Sequence, residues 1–307
     1  MEFIKDLQIH RGITVKELIQ QYESLGFQGS ELFKGAKIIR NMISENAKIF
    51  LTFTSNMTTS GLRGLFAKWI STGKIHAVVT TAGSIEEDIM KSIGEKFLLT
   101  RFSSDDHELH EKGMNRVGNI IIKNDSYMRF EGFIQPILTE IVKNKKRISG
   151  SELLKILGSK LKDENSILYQ AYMQNVPIFV PGITDGAIGF QLYLAKQKEP
   201  DFVIDPIEDF ERIMLSITQD DKKGIIALGG GISKHYAILS SLISGGMDYA
   251  VYITTSKETS GSASGATTNE GKSWGKIKDD SDSVTIIGDA TIIFPLISAY
   301  VFDTLNL

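Results

Sequence analysis

Nine residues near the end of the chain, Asn269-Glu270-Gly271-Lys272-Ser273-Trp274-Gly275-Lys276-Ile277, bring together a carboxylate, an indole and two amines. Glycine lets backbone come close to a ligand, and an indole face attracts cations. A lysine shielded from water in such surroundings gives up its proton more readily and becomes a nucleophile. The alternative is a surface turn whose lysines are simply solvated. A second stretch, Gly229-Gly230-Gly231-Ile232-Ser233-Lys234-His235, sets three consecutive glycines just after an apolar run. Such a run is costly in chain entropy and suits a place where backbone touches a ligand at a helix N-terminus. Its spacing is not the GxGxxG dinucleotide fingerprint.

The elements that must position these groups alternate. Thr14 and Glu17 form a capping-box pattern for a helix that Gly26 closes, and Ser30 opens a second one, so 14–45 reads as helical. Ile49-Phe50-Leu51-Thr52-Phe53 reads as a buried strand running into Thr54-Ser55-Asn56-Met57-Thr58-Thr59-Ser60-Gly61, with a helix near 61–72. A strand over 77–81 ends in Ala82-Gly83, and Ser84 with Glu87 suggests a capping box that would account for the acids Glu86 and Glu87. Further strands fall at 177–181, 224–228, 249–253 and 284–287, with helices near 151–158 and 208–217. Strand after strand ends in Ser, Thr, Asn, Asp or Gly. The pattern predicts one α/β domain over 1–307: a Rossmann-like, doubly wound, mostly parallel sheet with helices on both faces and a ligand crevice along its carboxyl edge. Residues 259–283 are expected to form a long active-site loop over that edge. Asp185, at a strand end beside glycine, suits either a ribose hydroxyl or the cap of the next helix.

The bulk numbers exclude several classes. At 307 residues with 42% hydrophobic and 23% charged content, the chain is an ordinary globular one. A net charge of -3 argues against nucleic acid and anionic membranes as partners. The absence of cysteine removes disulfides, thiolate metal sites and cysteine nucleophiles. The start of the chain has no signal-peptide pattern, and no apolar run reaches the roughly 20 residues of a membrane helix. A cytoplasmic protein is expected. Asp105, Asp106, His107, Glu108 and His110 lack the HExxH spacing and read as a solvated charged loop, so no metal site is expected.

Taken in order, Thr54-Ser55-Asn56, Thr80-Thr81-Ala82-Gly83 with Glu86-Glu87-Asp88, Asn115-Arg116-Val117-Gly118-Asn119, Thr184-Asp185-Gly186, Gly229-Gly230-Gly231 with Lys234-His235, Asp248-Tyr249-Ala250-Val251-Tyr252-Ile253 and Ser273-Trp274-Gly275-Lys276-Ile277 resemble the deoxyhypusine synthase family over nearly the whole chain. The resemblance implies an NAD-dependent transfer of the aminobutyl group of spermidine to a lysine of the hypusine-bearing translation initiation factor precursor. Lys276 matches the imine-forming lysine and His235 the active-site histidine. Glu86, Glu87, Gly261, Ser262, Glu270 and Trp274 match substrate contacts. Ser55, Asn56, Thr81, Ala82, Gly83, Asp185, Gly230, Thr255, Ser256, Asp289 and Ala290 match NAD contacts. A homotetramer with active sites at a dimer interface is also implied.

Two positions depart from the eukaryotic pattern of the family: Phe190 and Ala263 stand where that pattern has aspartates that contact the amine. Losing a charge-assisted hydrogen bond costs about 1.5–3 kcal/mol. The departures keep open an aminobutyl transferase of the homospermidine synthase kind, with a small amine as acceptor. A non-catalytic NAD-binding regulatory subunit is the third reading, although such a subunit is expected to lack Lys276.

Overall fold

The computed structural model describes residues 3–307. The expected single domain is organised as two compact, interleaved units. The first comprises the residues through Phe53, Lys74–Val79 and Arg212–Leu307; the second comprises Thr54–Gly73 and Thr80–Glu211.

The first unit is built on five parallel strands: β1 (Lys48–Phe53), β2 (Ile75–Val79), β3 (Lys223–Leu228), β4 (Met247–Thr254) and β5 (Ile277–Ile287). Their spatial order is β5-β4-β3-β1-β2, every neighbouring pair parallel. The first four are almost wholly buried, as their unbroken apolar runs require of strands covered on both faces. On β4, Val251 and Tyr252 point to opposite faces. Val251 meets the helix Phe27–Ser44 at Gly35, where an added Cβ would lie 3.3 Å from Val251 Cγ1 and 2.7 Å from Ile286 Cδ1. Tyr252 lies under Lys234, on the helix Ile232–Ser240. Helices therefore cover both faces, as the α/β reading requires. The chain passes from β1 to β2 on one side and from β3 through β4 to β5 on the other. The switch point thus falls between β1 and β3, whose last paired residues are Phe53 and Leu228.

The expectations for this unit need three corrections. Gly26 does not close the first helix; that helix ends at Gln21, and Gly26 is the N-cap of the second. Ser30 lies inside the second helix, its hydroxyl donating to Phe27 O at 2.9 Å. The capping box of Thr14 and Glu17 is present. The third correction concerns 259–283, which is not one long loop: it holds a short helix, Thr268–Ser273, and the first seven residues of β5. Lys278–Ser283 is largely solvent-facing and polar, with a register irregularity opposite Met247–Tyr249, so the apolar alternation of a strand is missing there.

The second unit holds the helices Arg63–Ser71, Ala82–Ser92, Asn124–Asn144, Ile167–Met173 and Ala187–Lys198, a three-stranded antiparallel sheet (Leu98–Leu99, Met114–Val117, Ile120–Lys123) and a parallel pair (Arg147–Ser149 with Val203–Asp205). Ser84 is not a cap. The helix starts at Ala82 with Thr81 as N-cap, and Thr80 Oγ1 donates to Ser84 Oγ at 2.7 Å inside the protein. The helix expected from Ser151 begins one residue earlier, at Gly150, behind a Ser149 cap. Asp105 caps a short helix, Asp106–Glu111, and the described residues contain no cluster suited to a metal ion. No helix among them is long and apolar enough to cross a membrane.

Candidate active site

Lys276 is the residue immediately before β5, and its backbone is fixed from three sides. Its N–H donates to Gly271 O at 3.1 Å, while its carbonyl accepts from Met247 N at 3.0 Å and from Ser241 Oγ at 2.8 Å. Lys276 is 9% exposed, and its side chain reaches a cavity of about 330 Å³. His235, Gly261, Ser262, Ala263, Ala266, Glu270 and Trp274 line that cavity with it. Every residue proposed from the sequence for the late-loop substrate contacts is therefore gathered around this one amine.

Lys276 Nζ lies 2.7 Å from His235 Nε2 and 5.2 Å from the centre of the Trp274 ring. The Trp274 and His235 rings also meet edge to face, with centroids 6.4 Å apart. Burial holds the Lys276 ammonium below the ordinary lysine range. His235 is held below its ordinary value by burial first and by the nearby Lys276 charge second. Both shifts favour an uncharged pair, in which an amine can donate to a bare Nε2. Glu270 is partly occupied: it forms a capping box with Thr267, whose backbone N–H donates to Glu270 Oε1 at 3.4 Å.

Lys234 is a neighbour whose environment could not be read from the sequence. It is 2% exposed, donates to Ala266 O at 2.8 Å and stands 4.4 Å over the Tyr252 ring. Burial brings its pKa down to about 8. Its bond to Ala266 anchors the wall of the cavity.

At the carboxyl edge of the sheet, Gly229 and Gly230 have φ of 59° and 76°, a conformation glycine adopts without strain. Gly231 then begins the helix Ile232–Ser240, and no side chain caps it. Thr255 and Ser256 follow β4, where Ser256 N donates to Thr254 Oγ1 at 3.0 Å. Asp289 caps the helix Ala290–Leu305, its Oδ1 accepting from Thr291 N and Thr291 Oγ1, both at 2.7 Å. The glycine turn and the helix N-terminus open to a ligand suit a phosphate-bearing group.

The second unit assembles a different set. Ser55 N donates to Thr81 Oγ1 at 3.0 Å, and a Cβ on Gly83 would fall 2.8 Å from that of Ser55. Thr54 donates to Asn56 Oδ1, and Ala82 is buried at the start of its helix. Asp185 is exposed in the turn before Ala187–Lys198 and does not cap it. That task falls to Glu86, whose Oε1 accepts from Ile188 N at 2.9 Å. The neighbouring acid Glu87 sets its Oε2 2.6 Å from Thr59 Oγ1, and burial pushes its pKa up to about 7. Asp88 is fully buried, binding Arg63 and the backbone N–H groups of Ile167 and Leu168. Three consecutive acids thus have three different tasks, which the capping-box reading did not separate.

The family model for deoxyhypusine synthase matches residues 17–301. A Sulfurisphaera tokodaii protein named probable deoxyhypusine synthase is 41% identical, covering 97% of this chain and 96% of the relative. Its Schizosaccharomyces pombe counterpart, named likewise, is 38% identical over 95% of this chain and 88% of the relative. Among solved structures, a candidate deoxyhypusine synthase from Entamoeba histolytica superposes with a TM-score of 0.68 at 24% identity, covering 98% of this chain and 97% of that one, which bears on the fold.

Proposed function

Because this chain belongs to the deoxyhypusine synthase family and is an aminobutyl transferase by that membership, we propose that Lys276 is the amine that carries the aminobutyl group. The observation that supports this reading is the Lys276 Nζ to His235 Nε2 contact of 2.7 Å inside a cavity walled by Trp274 and Glu270. The proposed donor is spermidine and the proposed acceptor a lysine of the hypusine-bearing translation initiation factor precursor, which places the enzyme in the cytoplasm. A homotetramer with sites at a dimer interface is part of the same proposal.

The proposed cofactor is NAD, and the residues present fit it: a strain-free glycine turn ahead of an uncapped helix at the sheet's switch point. The positions assigned to it are Ser55, Asn56, Thr81, Ala82, Gly83, Asp185, Gly230, Thr255, Ser256, Asp289 and Ala290. When bound, NAD would supply two-electron oxidation of the donor amine and return those electrons at the end.

The chain's own residues supply the rest. Neutral Lys276 attacks the imine carbon of the oxidised donor; the C–N bond to the propane-1,3-diamine fragment breaks, and that diamine leaves with a proton delivered through His235. The acceptor lysine then displaces Lys276 from the four-carbon imine. Glu270 and Trp274 hold the cationic end of the amine by charge and by the ring face. Incubation with NAD, isotopically labelled spermidine and the precursor protein, followed by mass spectrometry, tests this reading. Label on the precursor lysine, with borohydride-trappable label on Lys276, is expected; label on neither would overturn it.

A second reading has one observation in its favour. Glu270 is the single carboxylate among the residues lining the cavity, and Ala263 contributes no charge to it. Fewer charges suit a smaller amine as acceptor, so label appearing on added putrescine rather than on the protein would favour a homospermidine synthase-like transferase. The regulatory-subunit reading predicts neither NADH formation nor a trapped adduct.

A further inference from the structure

Thr59 is 4% exposed and Glu87 6% exposed, and the threonine hydroxyl sits between two acceptors. Its Oγ1 lies 2.6 Å from Glu87 Oε2 and 2.9 Å from the carbonyl oxygen of Ser55. A hydroxyl has one proton to donate and lone pairs with which to accept. A carbonyl oxygen can only accept, and so can an ionised carboxylate. Both short contacts are full hydrogen bonds at once only when Glu87 carries a proton on Oε2: the acid then donates to Thr59, and Thr59 donates to Ser55. If Glu87 ionises, one proton serves two acceptors. A charge-assisted bond is roughly twice as strong as a neutral one, so the carboxylate takes it and the Ser55 carbonyl loses its side-chain partner.

The surroundings favour the protonated form. On its own helix Glu87 is flanked by Glu86 and Lys91, and Tyr127 faces the two acids from the helix Asn124–Asn144. Lys91 gives its ammonium to Thr58 O at 2.9 Å. Arg63 is bound to Asp88 and Asp163, and the Asp185 charge acts on Glu86. None of these groups donates a hydrogen bond to Glu87 among the described residues, so Thr59 is the partner that registers its state.

We propose that Thr59 is a positioning residue: its single proton couples the protonation of Glu87 to the backbone of Ser55, and so to the order of the turn bearing Ser55 and Asn56. The consequence for cofactor binding rests on the reading given under Proposed function; the proton count does not. Ser55 is held at its N–H by Thr81 and at its carbonyl by Thr59. Ionisation of Glu87 releases the second hold.

The test is amide hydrogen exchange of residues 54–62, corrected for the intrinsic effect of pH, at pH roughly 5.5 and 8.5, either side of the Glu87 value of about 7. In the parent, protection is expected to fall by about 2- to 12-fold on going to the higher pH, the equivalent of one hydrogen bond. Thr59→Ser should keep that fall. Glu87→Gln, which donates at every pH, should be protected and flat; Thr59→Val should be unprotected and flat. A flat parent, a Thr59→Val variant that tracks the parent, or a Glu87→Gln variant that still responds to pH would overturn the assignment. If Thr59→Val does not fold, Thr59→Ser and Glu87→Gln decide it between them. NAD binding measured on the same samples separates the two ideas. Absence of binding at both pH values, with the exchange pattern intact, would sink the cofactor reading and leave Thr59 in its role.

Discussion

Lys276 Nζ stands 2.7 Å from His235 Nε2, the closest polar contact of either side chain. A charged ammonium and a charged imidazole would repel at this separation, and burial penalises both charges. The contact is therefore that of the lysine N–H donating to an unprotonated ring nitrogen, and burial moves the amine towards its neutral form. Lys276→Ala and Lys276→Arg are both expected to abolish transfer and the borohydride-trapped adduct while leaving NAD affinity within about two-fold. Arginine keeps length and bulk yet cannot form the imine. Persistent transfer in either variant would show that another amine carries the group.

Removing His235 takes away the proton acceptor but not the nucleophile. General acid–base groups contribute typically 10²–10⁴-fold, so His235→Ala should lower kcat by about that factor and still yield a trapped adduct on long incubation. Both pKa values lie below their ordinary ranges, so adduct formation should rise with pH to a midpoint below the usual lysine value of 10.5. Initial rates of trapping across pH check the direction, and a midpoint at or above that value would contradict the buried, neutral amine.

Much of this arrangement was legible beforehand, and the exceptions share a cause. β1 to β4 are buried on both faces and announce themselves as continuous apolar runs. The first half of β5 shows Asp279, Asp280 and Asp282 to solvent and reads as loop. The helix Thr268–Ser273 is six small or polar residues long, and only its Thr267–Glu270 capping box betrays it. Lys276 and His235 were identifiable by motif. The pairing of Thr59 with Glu87 joins residues 28 apart and has no local signature, and the interleaving of two units along one chain leaves no boundary in composition.

Glu270 and Trp274 should act on binding more than on turnover. Loss of one charge-assisted bond, about 1.5–3 kcal/mol, corresponds to a rise in amine KM of roughly 10- to 150-fold for Glu270→Gln. Trp274→Leu removes a cation–ring attraction of about 0.5–2 kcal/mol, a rise of roughly 2- to 30-fold. Steady-state kinetics that showed kcat falling with KM unchanged would argue against both assignments.

Glu87 makes stability depend on pH in an unusual sense for an acid. Its folded-state pKa of about 7 lies above the ordinary 4.5, so its contribution is complete below 4.5 and is lost as pH rises through 7. Glu87→Gln cannot ionise. The Tm of the parent should therefore fall relative to that of the variant between these pH values and run parallel to it above them. A constant difference across the window would mean that the carboxyl ionises normally.

Gly265 offers a structural test of the cavity wall. A Cβ there would lie 2.3 Å from the carbonyl oxygen of Lys257, a backbone atom that cannot swing aside as a side chain does. Gly265→Ala must push the 257–266 segment, and with it Ser262, Ala263 and Ala266, out of place. Overpacking of this sort costs about 1–3 kcal/mol. A raised amine KM with Lys276 still trappable is the expected outcome.

Three hydrogen bonds clamp the main chain of Lys276 while its four-carbon side chain is unbranched, with single bonds throughout. Under the proposed chemistry, the four-carbon cargo rides on a tether whose root does not travel. Its excursion is limited to torsions about its own single bonds, so it cannot be ferried outward to meet a distant protein. The recipient must thread its own lysine inward, which asks for an acceptor that presents that residue at the tip of a slender, protruding loop.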